Sequence, residues 1–156
     1  MSQSSLFDDG PGARFDVVDV YFDGGSRGNP GPAAIGAVVF DPATDPPQRL
    51  ATVSEVIGET TNNVAEYRAL IAGLEAAAEL GARRVHVRGD SMLVVQQLRG
   101  KWKVKSDHLR PLVAEAKQAL ARFDGVEIEH VRRDENVDAD TLVNAALDAR
   151  RTPRGM

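Results

Sequence analysis

The stretch Phe15-Asp16-Val17-Val18-Asp19-Val20-Tyr21-Phe22-Asp23-Gly24-Gly25 decides the fold. Its first eight residues are mostly β-branched or aromatic, side chains that pack well on a pleated surface, so they predict a strand. Asp23-Gly24-Gly25 ends it, and the loop running on to Pro32 is dense in Gly and Pro. Ala33 to Phe40 reads as a second strand and Leu50 to Gly58 as a third. Between them Asp41 to Pro47 holds three prolines and two aspartates, a turn composition. Connections this short favour antiparallel hairpins.

Downstream the pattern changes period. Val64, Tyr67, Ile71, Leu74 and Ala78 recur at helical spacing within Asn63 to Leu80, and Gly81 is a stop signal. Val85 to Arg88 is a short strand broken at Gly89-Asp90-Ser91. A helix from Met92 to Leu98, a basic segment Lys101 to Lys105, a helix from Leu109 to Phe123, a strand from Val126 to Val131 and a helix from Asp138 to Ala149 follow. Three meandering strands followed by βαβ units predict an α/β fold, a five-stranded mixed sheet flanked by helices. Residues 1–14 read as a disordered leader, 15–149 as one domain and 150–156 as a tail.

Composition is that of a globular chain, with 42% apolar and 27% charged residues among 156. There is no cysteine, which excludes disulfides and thiolate metal sites. The first twelve residues lack the apolar core of a signal peptide, and no apolar run approaches the roughly 20 residues that span a bilayer. These features lead us to expect a cytoplasmic protein without a membrane partner. The net charge of −4 argues at first against nucleic acid. Two divalent cations on acidic ligands would add four positive charges, and −4 + 4 is zero. The basic residues are also clustered: Arg99, Lys101, Lys103 and Lys105 lie close together, and Arg132 adjoins Arg133. Local potential rather than net charge steers a phosphate backbone.

Four acids stand at the ends of predicted elements. Asp23 ends the first strand, where it reads equally as a turn residue. Asp90 ends the fourth strand and could instead be an N-cap. Glu66 opens the long helix, where Asn63 as N-cap would make it a capping-box partner. Two residues from Val64, it lies about 200° around the helix and is expected to point away from the core side. Asp140 sits among Asp134, Glu135 and Asp138 at a helix start, which the helix dipole alone would favour. Together they suit a different purpose. Phosphodiester cleavage with Mg²⁺ needs hard oxygen ligands brought from distant parts of a chain, and such sites form beyond the carboxyl ends of parallel strands.

Tyr21 to Pro32 resembles the first signature of type 1 ribonuclease H, and Thr60-Thr61-Asn62-Asn63-Val64-Ala65-Glu66-Tyr67 its second. Gly89-Asp90-Ser91 is similar to the third, and Asn136-Val137-Asp138-Ala139-Asp140-Thr141-Leu142-Val143-Asn144 to the fourth. The resemblance implies a ribonuclease H-like fold and hydrolysis of the RNA strand of RNA–DNA hybrids with two Mg²⁺ ions, for which Mn²⁺ can substitute. It implies 5′-phosphate and 3′-hydroxyl ends and a monomer. Its catalytic and metal-binding set falls on Asp23, Glu66, Asp90 and Asp140, the last chosen over Asp138 because the family acid follows the motif's Asn by four residues. Asp23 would bridge both ions.

Substrate contacts are implied for Gly25, Asn29, Thr61, Asn62, Asn63, Trp102 and Lys103. Asn62 and Asn63 carry amides able to reciprocate a ribose 2′-hydroxyl, and capping the long helix is a reading compatible with that role. Trp102 in its basic segment suits stacking, or else it is a buried anchor. The basic segment is shorter than in many bacterial relatives, as in the archaeal and actinobacterial subgroup. Glu59 replaces an Arg that often assists the DNA-phosphate pocket. The loop from Val131 to Asn136 lacks the family's flexible histidine, and none of His86, His108 and His130 is placed to replace it. An actin- or sugar-kinase-like ATPase loop and a non-catalytic hybrid-binding module are the competing readings.

Overall fold

In a computed structural model that describes residues 15–151, the expected sheet forms with its expected pairing. The elements are β1 (Phe15–Ser26), β2 (Gly31–Asp41), β3 (Gln48–Thr60), α1 (Asn62–Glu79), β4 (Ala82–Gly89), α2 (Met92–Leu98), α3 (Arg110–Leu120), β5 (Gly125–His130) and α4 (Val137–Arg151). A single 3₁₀ turn, Arg133–Glu135, precedes α4 and went unread in the sequence. Strand order is β3-β2-β1-β4-β5. The first three strands pair antiparallel, whereas β1–β4 and β4–β5 pair parallel.

Element ends differ from expectation for local reasons. β1 does not stop at Phe22: Asp23 to Ser26 stays in the ladder, opposite Gly36 to Ala33 of β2. The glycines there are strand residues, and the turn begins only after Ser26. α4 continues through Arg150 and Arg151, so the first two residues of the expected tail are helical. The expected leader, 1–14, and residues 152–156 lie outside the described residues.

Alternation along the strands divides the interior. Val18, Val20 and Phe22 of β1 with Val85 and Val87 of β4 face Tyr67, Leu70 and Leu74 of α1 and Val113 and Ala116 of α3. On the opposite face Val143 and Leu147 of α4 cover Ala34 of β2. Close approach there depends on Gly36, where an added Cβ would lie 2.4 Å from the Ala139 carbonyl oxygen. α4 thus rests on the sheet itself, with its first turn over the end of β1.

Candidate active site

Parallel pairing sets Phe22 of β1 beside Gly89 of β4, so Asp23 and Asp90 are the next residues on neighbouring strands at one sheet end. α1 begins at that same end. Its cap is Thr61, whose Oγ1 accepts from the Val64 amide at 3.3 Å. The capping-box alternative for Glu66 with Asn63 as cap is therefore excluded, and so is capping by either Asn62 or Asn63.

The expected direction of Glu66 needs correction too. Tyr67, Ile71 and Leu74 of the expected stripe are buried but Val64 is only half buried, and the buried side extends to Glu66, Leu70, Gly73 and Ala77. Glu66 lies one turn above Leu70 on that sheet-facing side, so it points into the protein. There its Oε1 accepts from the Gly24 amide at 3.1 Å. The contact requires glycine at residue 24, where a Cβ would lie 2.2 Å from the Ala65 carbonyl carbon.

Asp90 is not the cap of α2. Ser91 is, accepting from the Val94 amide at 3.2 Å, which leaves the Asp90 carboxylate free of that duty. Asn136 holds it: the buried Nδ2 donates to Asp90 Oδ2 at 3.0 Å and to the Phe22 carbonyl at 2.9 Å. Asn136 Oδ1 is buried without a partner.

Ligand oxygens of Asp23, Glu66 and Asp90 lie within 4.8 Å of one another. Asp140 lines the same cleft as Asp23 and Glu66, a cavity of about 350 Å³ also bordered by Gly25, Arg27, Asn62, Arg133 and Asn144. Asp138 does not; it is exposed, pairs with Arg49 at 3.4 Å, and borders a separate hollow with Asp19 and Tyr21.

The charges are poorly compensated. Burial, then the charges of Asp90 and Asp140, push the Asp23 carboxyl up to about 7, against the pull of the Arg133 guanidinium. Burial, then the charges of Asp23 and Asp90, raise Glu66 well above the ordinary carboxylate range, opposed by the Gly24 amide. The convergent carboxylates outnumber the two arginines that border the cleft, and hard oxygen donors alone suit a divalent cation such as Mg²⁺ or Mn²⁺. The residues fit such ions.

The candidate substrate residues spread outward from this cluster. Gly25 borders the cleft with ordinary space around it, the nearest atoms to an added Cβ being 3.9 Å away. Asn29 Oδ1 accepts from the Asn62 amide at 3.0 Å, and Asn62 Oδ1 accepts from the Ser26 amide and hydroxyl at 2.8 and 3.0 Å. Asn63 is exposed. Trp102 is 46% exposed beside exposed Lys101 and Lys103, so it is no buried anchor. The basic segment is anchored instead by Gln97, which donates to the Lys103 carbonyl and accepts from the Tyr67 hydroxyl at 2.6 Å. Arg99 is committed to the Ile128 carbonyl of β5.

His86, His108 and His130 all lie off the cleft, and the loop position without histidine is bordered by Arg133. Arg132, its neighbour, is held by Asp134 and Glu135. Sequence reading treated these two arginines as one patch, because nothing in Arg-Arg distinguishes the residue turned into the cleft. Arg27, Asn136 and Asn144 stood only as motif letters, since the Arg27–Asn144 contact and the partners of Asn136 span more than forty residues of chain.

The family model for reverse transcriptase-like proteins matches residues 21–146. The Bifunctional protein Rv2228c of Mycobacterium tuberculosis is 50% identical over 132 residues, 85% of this chain and 36% of that protein. The chain thus spans about a third of that relative's length. Crystalline RNase H1 of the halophilic archaeon Halobacterium salinarum superposes with a TM-score of 0.82 at 47% identity, covering 85% of this chain and 98% of that one. LC11-RNase H1, isolated from compost and solved in complex with an RNA/DNA hybrid, gives 0.79 at 40% identity, covering 86% and 99%. By sequence along most of its length and by fold, the chain belongs to the type 1 ribonuclease H family, among the reverse transcriptase-like proteins.

Proposed function

We propose that the protein is an endonuclease that hydrolyses the RNA strand of RNA–DNA hybrids and leaves 5′-phosphate and 3′-hydroxyl ends. The carrying observation is the convergence of Asp23, Glu66 and Asp90 on one point, with Asp140 on the rim of the same cleft. Asp23, Glu66, Asp90 and Asp140 would hold two Mg²⁺ ions, or Mn²⁺ in their place. Bound there, such ions lower the pKa of water and neutralise charge on the phosphate being cleaved.

The chain's own residues do the rest. Glu66 is fixed by the Gly24 amide and Asp90 by Asn136, so the ligand oxygens are set before substrate arrives. Arg133 brings positive charge to the mouth of the cleft, where the scissile phosphate would enter. Asn62 spends its carbonyl on Ser26 and keeps its amide NH₂ for the ribose 2′-hydroxyl, with exposed Asn63 beside it. Gly25 leaves room for the RNA backbone. Thr61 and Asn29 flank the strand paired to it, and Trp102 and Lys103 form a second footing through stacking and phosphate contact. The protein acts as a monomer in the cytoplasm.

End-labelled hybrid, RNA duplex and DNA duplex incubated with Mg²⁺ or Mn²⁺, then with EDTA, test this. Cleavage of the RNA strand of the hybrid alone, abolished by EDTA, is expected. No metal-dependent cleavage of the hybrid would refute it.

A further inference from the structure

Three of the four acids are held from outside their own element or by burial: Asp23 within β1 and the cleft floor, Glu66 by Gly24, Asp90 by Asn136. Asp140 is half-buried on the first turn of α4 and needs a holder of its own. Asn144, one turn later, donates from Nδ2 to the Asp140 carbonyl at 3.1 Å and reaches Asp140 Oδ2 at 3.4 Å. Its other end meets Arg27, in the turn just after β1, whose Nη2 lies 3.4 Å from Asn144 Oδ1 and 2.8 Å from Asp148 Oδ1.

We propose that Arg27 and Asn144 are positioning residues for Asp140, resting on the ribonuclease reading above. A guanidinium can only donate, so the amide end facing Arg27 must be the oxygen. The NH₂ end is then obliged to face the Asp140 carboxylate. Asn144 is exposed, and without Arg27 its amide is free to flip and turn a carbonyl oxygen toward that carboxylate. Asp148 pins the guanidinium from α4, so the same contact ties the end of β1, which carries Asp23, to the helix that carries Asp140. The individual 3.4 Å links are long, so the effect is one of orientation rather than strong bonding.

The test compares wild type, Arg27→Ala, Arg27→Lys, Asn144→Ala and the Arg27→Ala/Asn144→Ala double variant. Arg49→Ala is the matched control, since Arg49 also ties the sheet to α4 but through Asp138. Two readouts are taken against Mg²⁺ concentration: steady-state cleavage of hybrid, and the rise in melting temperature without nucleic acid. The expectation for Arg27→Ala and Asn144→Ala is a loss in kcat of about ten- to a hundredfold with KM near wild type. Both should need more Mg²⁺ to reach half of the melting-temperature rise. The double variant should be no worse than the worse single one, because both act on one carboxylate. Arg27→Lys, which still donates, should recover part of the loss, and Arg49→Ala should match wild type.

A raised KM with unchanged kcat would mean that Arg27 grips the nucleic acid directly and would overturn the proposal. So would additive losses, or wild-type kcat and Mg²⁺ midpoints in folded variants. Should Arg27→Ala fail to fold, Asn144→Ala carries the same test from an exposed position. If wild type cleaves no hybrid, the ribonuclease reading fails, while the melting midpoints still decide whether Arg27 and Asn144 act on Asp140.

Discussion

At the scale of the residue, Asp23 concentrates the cost and the use of this site. It is buried among acids and carries a carboxyl raised from 3.8 to about 7 when no cation is bound. The sign of its linkage to stability follows. A folded pKa above the unfolded one means a contribution present below about 3.8 and lost as pH rises to about 7. The metal-free protein should therefore lose melting temperature across that window. Asp23→Asn should flatten this dependence and leave the metal-free protein more stable at pH 8, by on the order of a few kcal/mol. Thermal melts in EDTA from pH 5 to 8 check it, and an unchanged slope in the variant would count against it. The same substitution should abolish hybrid cleavage while largely sparing hybrid binding. An active Asp23→Asn protein would remove Asp23 from the catalytic set.

At the scale of the element, the site depends on how α1 and α4 are seated. α1 meets the end of β1 at Gly24, and α4 crosses β2 at Gly36; both contacts are backbone against backbone. At Gly36→Ala the new methyl would lie 2.4 Å from the Ala139 carbonyl oxygen and 3.0 Å from the Leu142 Cβ, so α4 must lift. Overpacking of this kind costs about 1–3 kcal/mol, or several degrees of melting temperature. Because Asp140 follows Ala139, cleavage should fall further than stability does. A variant that melts and cleaves like wild type would show that α4 is not held this tightly. The helix α1 teaches a related lesson. Its apolar positions marked a helix, yet the side that faces the sheet runs through Glu66 and Leu70 rather than Val64. A stretch rich in alanine presents apolar side chains nearly all round, and the choice of face falls to the neighbours.

At the scale of the whole molecule, charge is arranged rather than abundant. The chain carries a net −4, with Asp23, Glu66, Asp90 and Asp140 gathered at the cleft and exposed Lys101, Trp102 and Lys103 on a segment anchored through Gln97 and Tyr67. Trp102→Ala should weaken hybrid binding with little change in kcat. Lys103→Ala should lower the slope of log affinity against log salt by about one phosphate contact. Filter binding across a salt series measures both, and an unchanged slope would remove Lys103 from the interface.

The five-stranded mixed sheet and its pairing senses were legible in the chain, and the resemblance of four motifs pointed to the four acids. β-branched alternation, short Gly- and Pro-rich connections and helical spacing are local properties, written in neighbouring residues. Tertiary structure alone decided which way each acid points, that Thr61 and Ser91 take the capping duties, that Arg133 rather than Arg132 borders the cleft, and that Asn136, Asn144 and Arg27 brace the carboxylates. Apart from the two caps and the Asn144–Asp140 contact, which are local, those outcomes rest on contacts between residues remote in sequence, where the burial of one face and the pairing of donors with acceptors are settled only once the sheet and helices have closed on each other.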